Sequence, residues 1–316
     1  MQIRPLRSED VPRVLAAWNQ AMIHNQLSEE RFRGVMLEDP NYEPEGLVVA
    51  EEAGEVCGFS ACVVRRGVPG RDGGGHDWES GRGFLKGFFV AEGERGDAAA
   101  QSLLAAAEAY CAEAGKQELM ATIYTGRHVF PGLDVRYLRL REVLGRHGYR
   151  DVRTIEDVAV DLRDAAHAAR LAQVRERVGA GVELITWEPA LLPEFRKFVA
   201  EGKASEWFPV GWEARYAEAE ANTLLLRRKG EIVGWARYRP MVPRAAFGPI
   251  LVLRRERGQG YGLLLLLECM TRAREAGSET MSAGWANTGF YIAAGWQIVR
   301  RYAVLQKDLK RGERDE

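Results

Sequence analysis

Long apolar runs are missing from this chain. Its longest aliphatic stretch, Leu263 to Leu267, is far short of the roughly 20 residues that a bilayer-spanning helix needs. The opening Met1, Gln2, Ile3, Arg4 has no apolar core of an export signal, so a cytoplasmic protein with no membrane partner is expected. Charge of one sign is missing too: 44 Lys and Arg face 45 Asp and Glu, a formal net charge of −1. The basic residues are scattered, not striped, and nucleic acid is not expected as a partner. Cysteine is scarce. The four, Cys57, Cys62, Cys111 and Cys269, show no metal-ligand spacing, so no metal and buried reduced thiols are expected. At 316 residues the chain has room for two compact domains.

The most informative stretch is FGPILVLRRERGQGYG, from Phe247 to Gly262. It reads as a short apolar strand, a basic turn with glycines at alternate positions, and an apolar helix opening at about Gly260. Glycines there can take positive φ and turn their N–H groups into one concave space, and the first helical turn has unpaired N–H groups of its own. An anion is the natural occupant. Each hydrogen bond from such an N–H to a charged oxygen is worth roughly 1.5 to 3 kcal/mol, against about 0.3 to 1 kcal/mol for the helix dipole. A Walker phosphate loop is excluded because Gly262 is followed by Leu263 and Leu264, not Lys and Ser or Thr. A dinucleotide fingerprint is excluded because Leu263 stands where its third glycine belongs. By itself the hexapeptide Arg257, Gly258, Gln259, Gly260, Tyr261, Gly262 is compatible with an ordinary strand-to-helix turn.

That hexapeptide resembles the R-x-x-G-x-G pyrophosphate loop of the GNAT (Gcn5-related) N-acetyltransferases. Downstream, Asn287, Tyr291, Gly295 and Trp296 resemble the family's Asn followed by Tyr-x-x-x-Gly-aromatic. The usual Phe is Trp296 here, and the Asn-to-Tyr interval is short.

The halves of the chain repeat one another. Gly54, Glu55, Val56, Cys57, Gly58, Phe59 matches Gly230, Glu231, Ile232, Val233, Gly234, Trp235; Glu94, Arg95, Gly96 matches Glu256, Arg257, Gly258. Gly148 and Tyr149 match Gly295 and Trp296, and Asp161 and Leu162 match Asp308 and Leu309. The offset shrinks along the chain because the first half carries extra residues, in the Gly67 to Gly83 loop and around Tyr124 to Tyr137. The expected fold is α/β (α+β): two tandem GNAT-like modules, each a mixed, mostly antiparallel sheet flanked by helices. The expected division is a first module at 1–163, a connector helix at 164–180 and a second module at 181–316. Ser8 reads as the N-cap of the first long helix.

Only the second module looks equipped. In the first, Ala98 and Ala100 occupy both glycine positions, and an alanine held at positive φ costs roughly 1 to 2 kcal/mol. Asp97 adds a carboxylate where phosphates would lie, and Leu144 stands where the family has its Tyr. The segment His128 to Asp134 is read as a rigid loop, or as a wall of a pocket or interface.

The resemblance implies acetyl-CoA or another acyl-CoA as donor and a small-molecule amine as acceptor. It also implies main-chain contacts to the donor from Ile250, Leu251 and Val252, oxyanion-type stabilisation by pre-placed groups. The loop Arg257, Gly258, Gln259, Gly260, Tyr261 and Gly262 would hold the diphosphate, with Asn287 either contacting the cofactor or capping its helix. Tyr291 matches the residue that donates to the departing sulfur, or is a packing aromatic. No carboxylate lies on the strand Phe247 to Leu253; Glu206 and Glu213 are candidate bases, or simply solvated surface charges. Trp207 and Trp212 are candidates for an acceptor wall, or for a lid over the core. The competing reading is a non-catalytic acyl-CoA sensor or regulatory subunit. A protein or peptide acceptor stays open, as does the oligomeric state.

Overall fold

A computed structural model describes residues 1–66, 80–124, 128–204, 213, 216 and 222–309. Two compact units form: Met1–Ile155 with Arg301–Glu316, and Glu156–Arg300.

In the first unit β1 (Gln2–Pro5), α1 (Val11–Ala21) and α2 (Glu29–Met36) precede β2 (Leu47–Glu52), β3 (Glu55–Val64) and β4 (Arg82–Val90). Then come α3 (Glu94–Glu113), β5 (Glu118–Ala121), β6 (Leu133–Asp134) and α4 (Leu138–Arg146). The chain continues through β7 (Arg150–Asp161), α5 (Ala166–Val178), β8 (Glu183–Thr186), α6 (Leu192–Glu201), β9 (Thr223–Arg228), β10 (Glu231–Arg239) and β11 (Arg244–Val252). Last are α7 (Tyr261–Glu275), β12 (Thr280–Ala283), α8 (Thr288–Ala293) and β13 (Gln297–Asp308).

The first unit orders its strands β1-β2-β3-β4-β5-β13, with β6 also on β13; the second orders them β7-β12-β11-β10-β9-β8. The pairs β4–β5 and β11–β12 are parallel, and the other pairs described within each unit are antiparallel. The repeat is visible in the turns. Ala53 with Gly54 and Lys229 with Gly230 join their hairpins in two residues, all four at positive φ. That is the I′ geometry whose twist suits flanking strands.

Alternation along the strands divides the first unit's core in two. Cys62, Leu85, Leu103, Leu104, Cys111 and Leu305 pack together with α3, while Trp18, Phe32, Val49, Phe59 and Phe89 pack with α1 and α2. The second unit has one core, with Phe195 and Phe198 of α6 and Leu264 to Leu267 of α7. All four cysteines are buried.

The units divide at 155/156 and 300/301, inside β7 and β13, where the sequence reading draws its borders at 163/164 and 180/181. Residues Val158 to Asp161 pair with Ala283 to Thr280 in the second unit, and Leu305 to Asp308 pair with Ala121 to Glu118 in the first. Each unit thus takes a strand from the other half of the sequence. Helix α5 belongs to the second unit: Leu171 and Val174 join its core, and Arg175 Nε donates to the Glu268 carboxylate at 2.8 Å. Ser8 does not cap α1. It lies in a 3-10 turn in which Asp10 accepts from the Arg7 N–H at 2.9 Å.

Candidate functional site

Strands β11 and β12 pair only at Arg244, Ala245 and Ala246 against Thr280, Met281 and Ser282. Beyond that the chain after Ala283 departs, and β11 bulges, since Phe247 and Ile250 face Tyr238 and Ala236. An extra residue there bends the strand. The sheet therefore opens into a cavity of about 850 Å³ lined by Phe247–Val252, Glu256–Gly258, Gly260–Leu263, Gly284–Asn287, Phe290 and Tyr291.

Leu253 N–H donates to Val233 O at 3.0 Å. Because an antiparallel ladder alternates, Leu251 also spends its main-chain groups on β10, while those of Ile250 and Val252 face the opening. Arg257 Nε donates to the Val252 carbonyl at 3.1 Å, consistent with that direction.

The expected loop is present. Gly258 and Gly260 take φ of +83° and +88°, and Gly260 is the left-handed N-cap of α7. Leu264 is the first helix residue whose N–H finds a carbonyl, that of Gly260 at 2.9 Å. Among the described residues, no hydrogen bond engages the amides from Gly258 to Leu263. That run of donors at a helix start is a cradle for an anion. Tyr261 and Gly262 line the cavity, but Gln259 does not. Among the described residues the one carboxylate in the lining, Glu256, is held by Arg228 at 2.7 Å and Arg255 at 3.0 Å.

Tyr291 sits on α8, 6 % exposed, its ring against Phe247, Phe290 and Trp296. Among the described residues its hydroxyl has no hydrogen-bond partner, and burial pushes its pKa up to about 12. Asn287 is the N-cap residue of α8, yet its side chain makes no capping bond, so the capping alternative is not what this side chain does. Of the candidate bases, Glu213 pairs with Arg196 at 3.7 Å. Glu206, Trp207 and Trp212 lie outside the described residues.

Two carboxylates that sequence reasoning missed brace the cavity wall. Glu156 O accepts from the Ala286 N–H at 3.1 Å, and Glu156 Oε2 from the Thr288 hydroxyl at 2.6 Å. Asp157 Oδ1 accepts from the Trp285 N–H at 3.2 Å. Both stand on β7, and nothing in their local sequence marks which wall they will meet.

The first unit differs at the matching place. Strands β4 and β5 also pair over three residues only, but the space beside them is about 20 Å³, lined among others by Phe130, Gly132, Leu133 and Leu144. Part of the His128 to Asp134 segment lines it. The expected strain at Ala98 and Ala100 is not found: α3 begins at Glu94, so both alanines are helical and the loop itself is gone. Asp97 stands in the first turn of α3, where it accepts from Arg139 at 3.1 Å and Arg146 at 3.3 Å. Arg139 also donates to the carbonyls of Ala91 and Gly93.

The profile of the acetyltransferase (GNAT) family matches residues 11–129 and 185–294. The chain belongs to that family, twice over. No curated protein matches its sequence. Among solved structures it is similar to a GCN5-related N-acetyltransferase from Sphaerobacter thermophilus, with a TM-score of 0.66 at 17 % identity over 98 % of this chain and 96 % of that one. The tandem GNAT protein of the clavulanic acid biosynthesis pathway gives 0.60 at 14 %, over 98 % of each chain. The GCN5-related glucosamine N-acetyltransferase region of a fungal multi-domain β-N-acetylglucosaminidase gives 0.73 at 16 %; 96 % of this chain aligns with 38 % of that longer one. These likenesses concern the fold. Among the described residues no helix is long and apolar enough to cross a membrane.

Proposed function

We propose that the second unit is an acyl-CoA-dependent N-acyltransferase that moves an acetyl or other acyl group onto an amine of a small molecule, and that the first unit keeps the fold without the chemistry. The observation that carries this reading is the cavity in which unpaired loop amides, the open edge of β11 and Tyr291 line one space. Gly258 to Gly262 hold the diphosphate, the main-chain groups of Ile250 and Val252 hold the pantetheine arm and polarise the thioester carbonyl, and Asn287 contacts the donor. The amine nitrogen bonds to that carbonyl carbon, the carbon–sulfur bond breaks, and the amine's proton leaves to a base or water.

Tyr291 faces the departing sulfur. A phenol with a pKa of about 12 giving its proton outright to a thiolate near 8.5 would run uphill by about 5 kcal/mol. A hydrogen bond that strengthens as charge builds on sulfur is the contribution open to it. Thiol release from acetyl-CoA, dependent on an added amine, tests the reading. Tyr291→Phe is expected to lower that rate about 100-fold and to leave CoA affinity unchanged. Tight CoA uptake with no release for any amine or peptide would favour a sensor. Loss of affinity without loss of turnover per bound donor would remove Tyr291 from the chemistry.

A further inference from the structure

Helix α5 ends beside the anion cradle. A Cβ built on Gly260 would lie 2.6 Å from Arg177 Nη2 and 3.4 Å from its Cζ, so the guanidinium rests directly against the cap of α7. Arg177 is exposed, and among the described residues it makes no hydrogen bond and no ion pair. Its neighbours on the helix are engaged: Arg175 with Glu268 at 2.5 Å, Arg170 with the Ala293 carbonyl. Arg257, on the loop itself, spends one donor on the Val252 carbonyl and has no carboxylate partner among the described residues. The nearest loop carboxylate, Glu256, is taken by Arg228 and Arg255.

Two uncompensated guanidinium groups therefore flank a row of unpaired amides at the positive end of a helix dipole. Left so, like charges repel; an anion with several oxygens relieves all of them together. The planar fork of a guanidinium can meet two oxygens of a phosphate at once.

We infer that Arg177 is a phosphate-binding residue for the acyl donor, supplied by a helix that lies outside both family matches. It rests on the donor reading above, and extends it to a residue that no loop pattern contains. Electrostatic attachment by Arg177 acts on the phosphorylated end of the donor and leaves the thioester end untouched.

Calorimetry on the full chain tests this, with CoA, 3′-dephospho-CoA and pantetheine as probes. Arg177→Ala is expected to weaken CoA at least tenfold, Arg177→Lys to recover part of the loss, and neither to alter pantetheine binding. If the difference between wild type and Arg177→Ala vanishes with 3′-dephospho-CoA, the partner is the ribose phosphate; if it persists, the diphosphate. Wild-type binding of CoA that Arg177→Ala leaves intact overturns the role of Arg177 alone. An equal loss for pantetheine does the same, since it reports a damaged pocket. A wild type that takes up no CoA overturns the donor reading itself.

Discussion

Tyr291 is the residue on which the proposed chemistry turns, and its environment fixes how it titrates. Burial is the main cause that pushes its phenol up to about 12, with Cys269 second. An unfolded tyrosine titrates near 10. Below pH 10 both states keep the proton and stability is indifferent to it. Between 10 and 12 only the unfolded state releases it, so the native state loses about 1.4 kcal/mol per pH unit. The difference in unfolding free energy between wild type and Tyr291→Phe should therefore shift by that slope above pH 10 and be flat below it. In catalysis the same shift means that wild type and Tyr291→Phe share one pH profile up to pH 10, displaced in rate. A falling limb near pH 9 that only wild type shows would overturn the assignment. In the first unit the side chains of Lys86 and Asp39 are wholly buried and meet at 2.5 Å. Asp39 also accepts from the Asn41 N–H at 2.8 Å and the Tyr124 hydroxyl at 2.9 Å. Asp39→Ala takes the carboxylate away from a buried ammonium that keeps the Val35 carbonyl at 2.5 Å, and should cost about 3 to 5 kcal/mol in urea unfolding. The pair Lys86→Met with Asp39→Leu should cost less than Asp39→Ala alone, because no charge is then left without a partner.

The loop before α7 separates conformation from space. Gly258 and Gly260 both need positive φ, but a Cβ at Gly258 meets nothing within 4 Å, while one at Gly260 meets Arg177 at 2.6 Å. Gly258→Ala should thus cost only the strain, about 1 to 2 kcal/mol. Gly260→Ala should add displacement of Arg177 and a larger loss of CoA affinity; equal losses from both would show that Arg177 is idle. This element was legible in the sequence, because strand, turn and cap are encoded within the sixteen residues from Phe247 to Gly262. The fold class was legible for the related reason that turn chemistry recurs: Gly54 and Gly230 close equivalent hairpins. What escaped was whatever depends on partners distant in sequence. Ala98 and Ala100 looked strained only if the first module kept a loop, and a helix that starts at Glu94 removes it. Nor does the alternation of β7 say which wall Glu156 and Asp157 will brace, and the pattern that marks Leu171 and Val174 as apolar gives no hint that Arg177 ends at Gly260.

Exchange of strands sets the limits within which either half can be studied alone. A fragment spanning 181–316, the second module as its sequence delimits it, lacks the Val158 to Asp161 segment that pairs with β12 and the Leu171 and Val174 side chains of α5. It also loses Glu156 and Asp157 from the cavity wall, and the exposed edge of β12 would be open to pairing with other chains. Burying a leucine- or valine-sized side chain is worth about 1.5 to 3 kcal/mol. Losing Val158, Val160, Leu162, Leu171 and Val174 together therefore removes a sum comparable to the 5 to 15 kcal/mol or so that holds a typical domain. The 181–316 fragment should not fold. A fragment from 156 to 300, which contains every residue of the second unit, should fold and bind CoA. Far-UV circular dichroism with calorimetric CoA titration decides between them: a folded, CoA-binding 181–316 fragment would show that the exchanged strand and α5 are dispensable to the site.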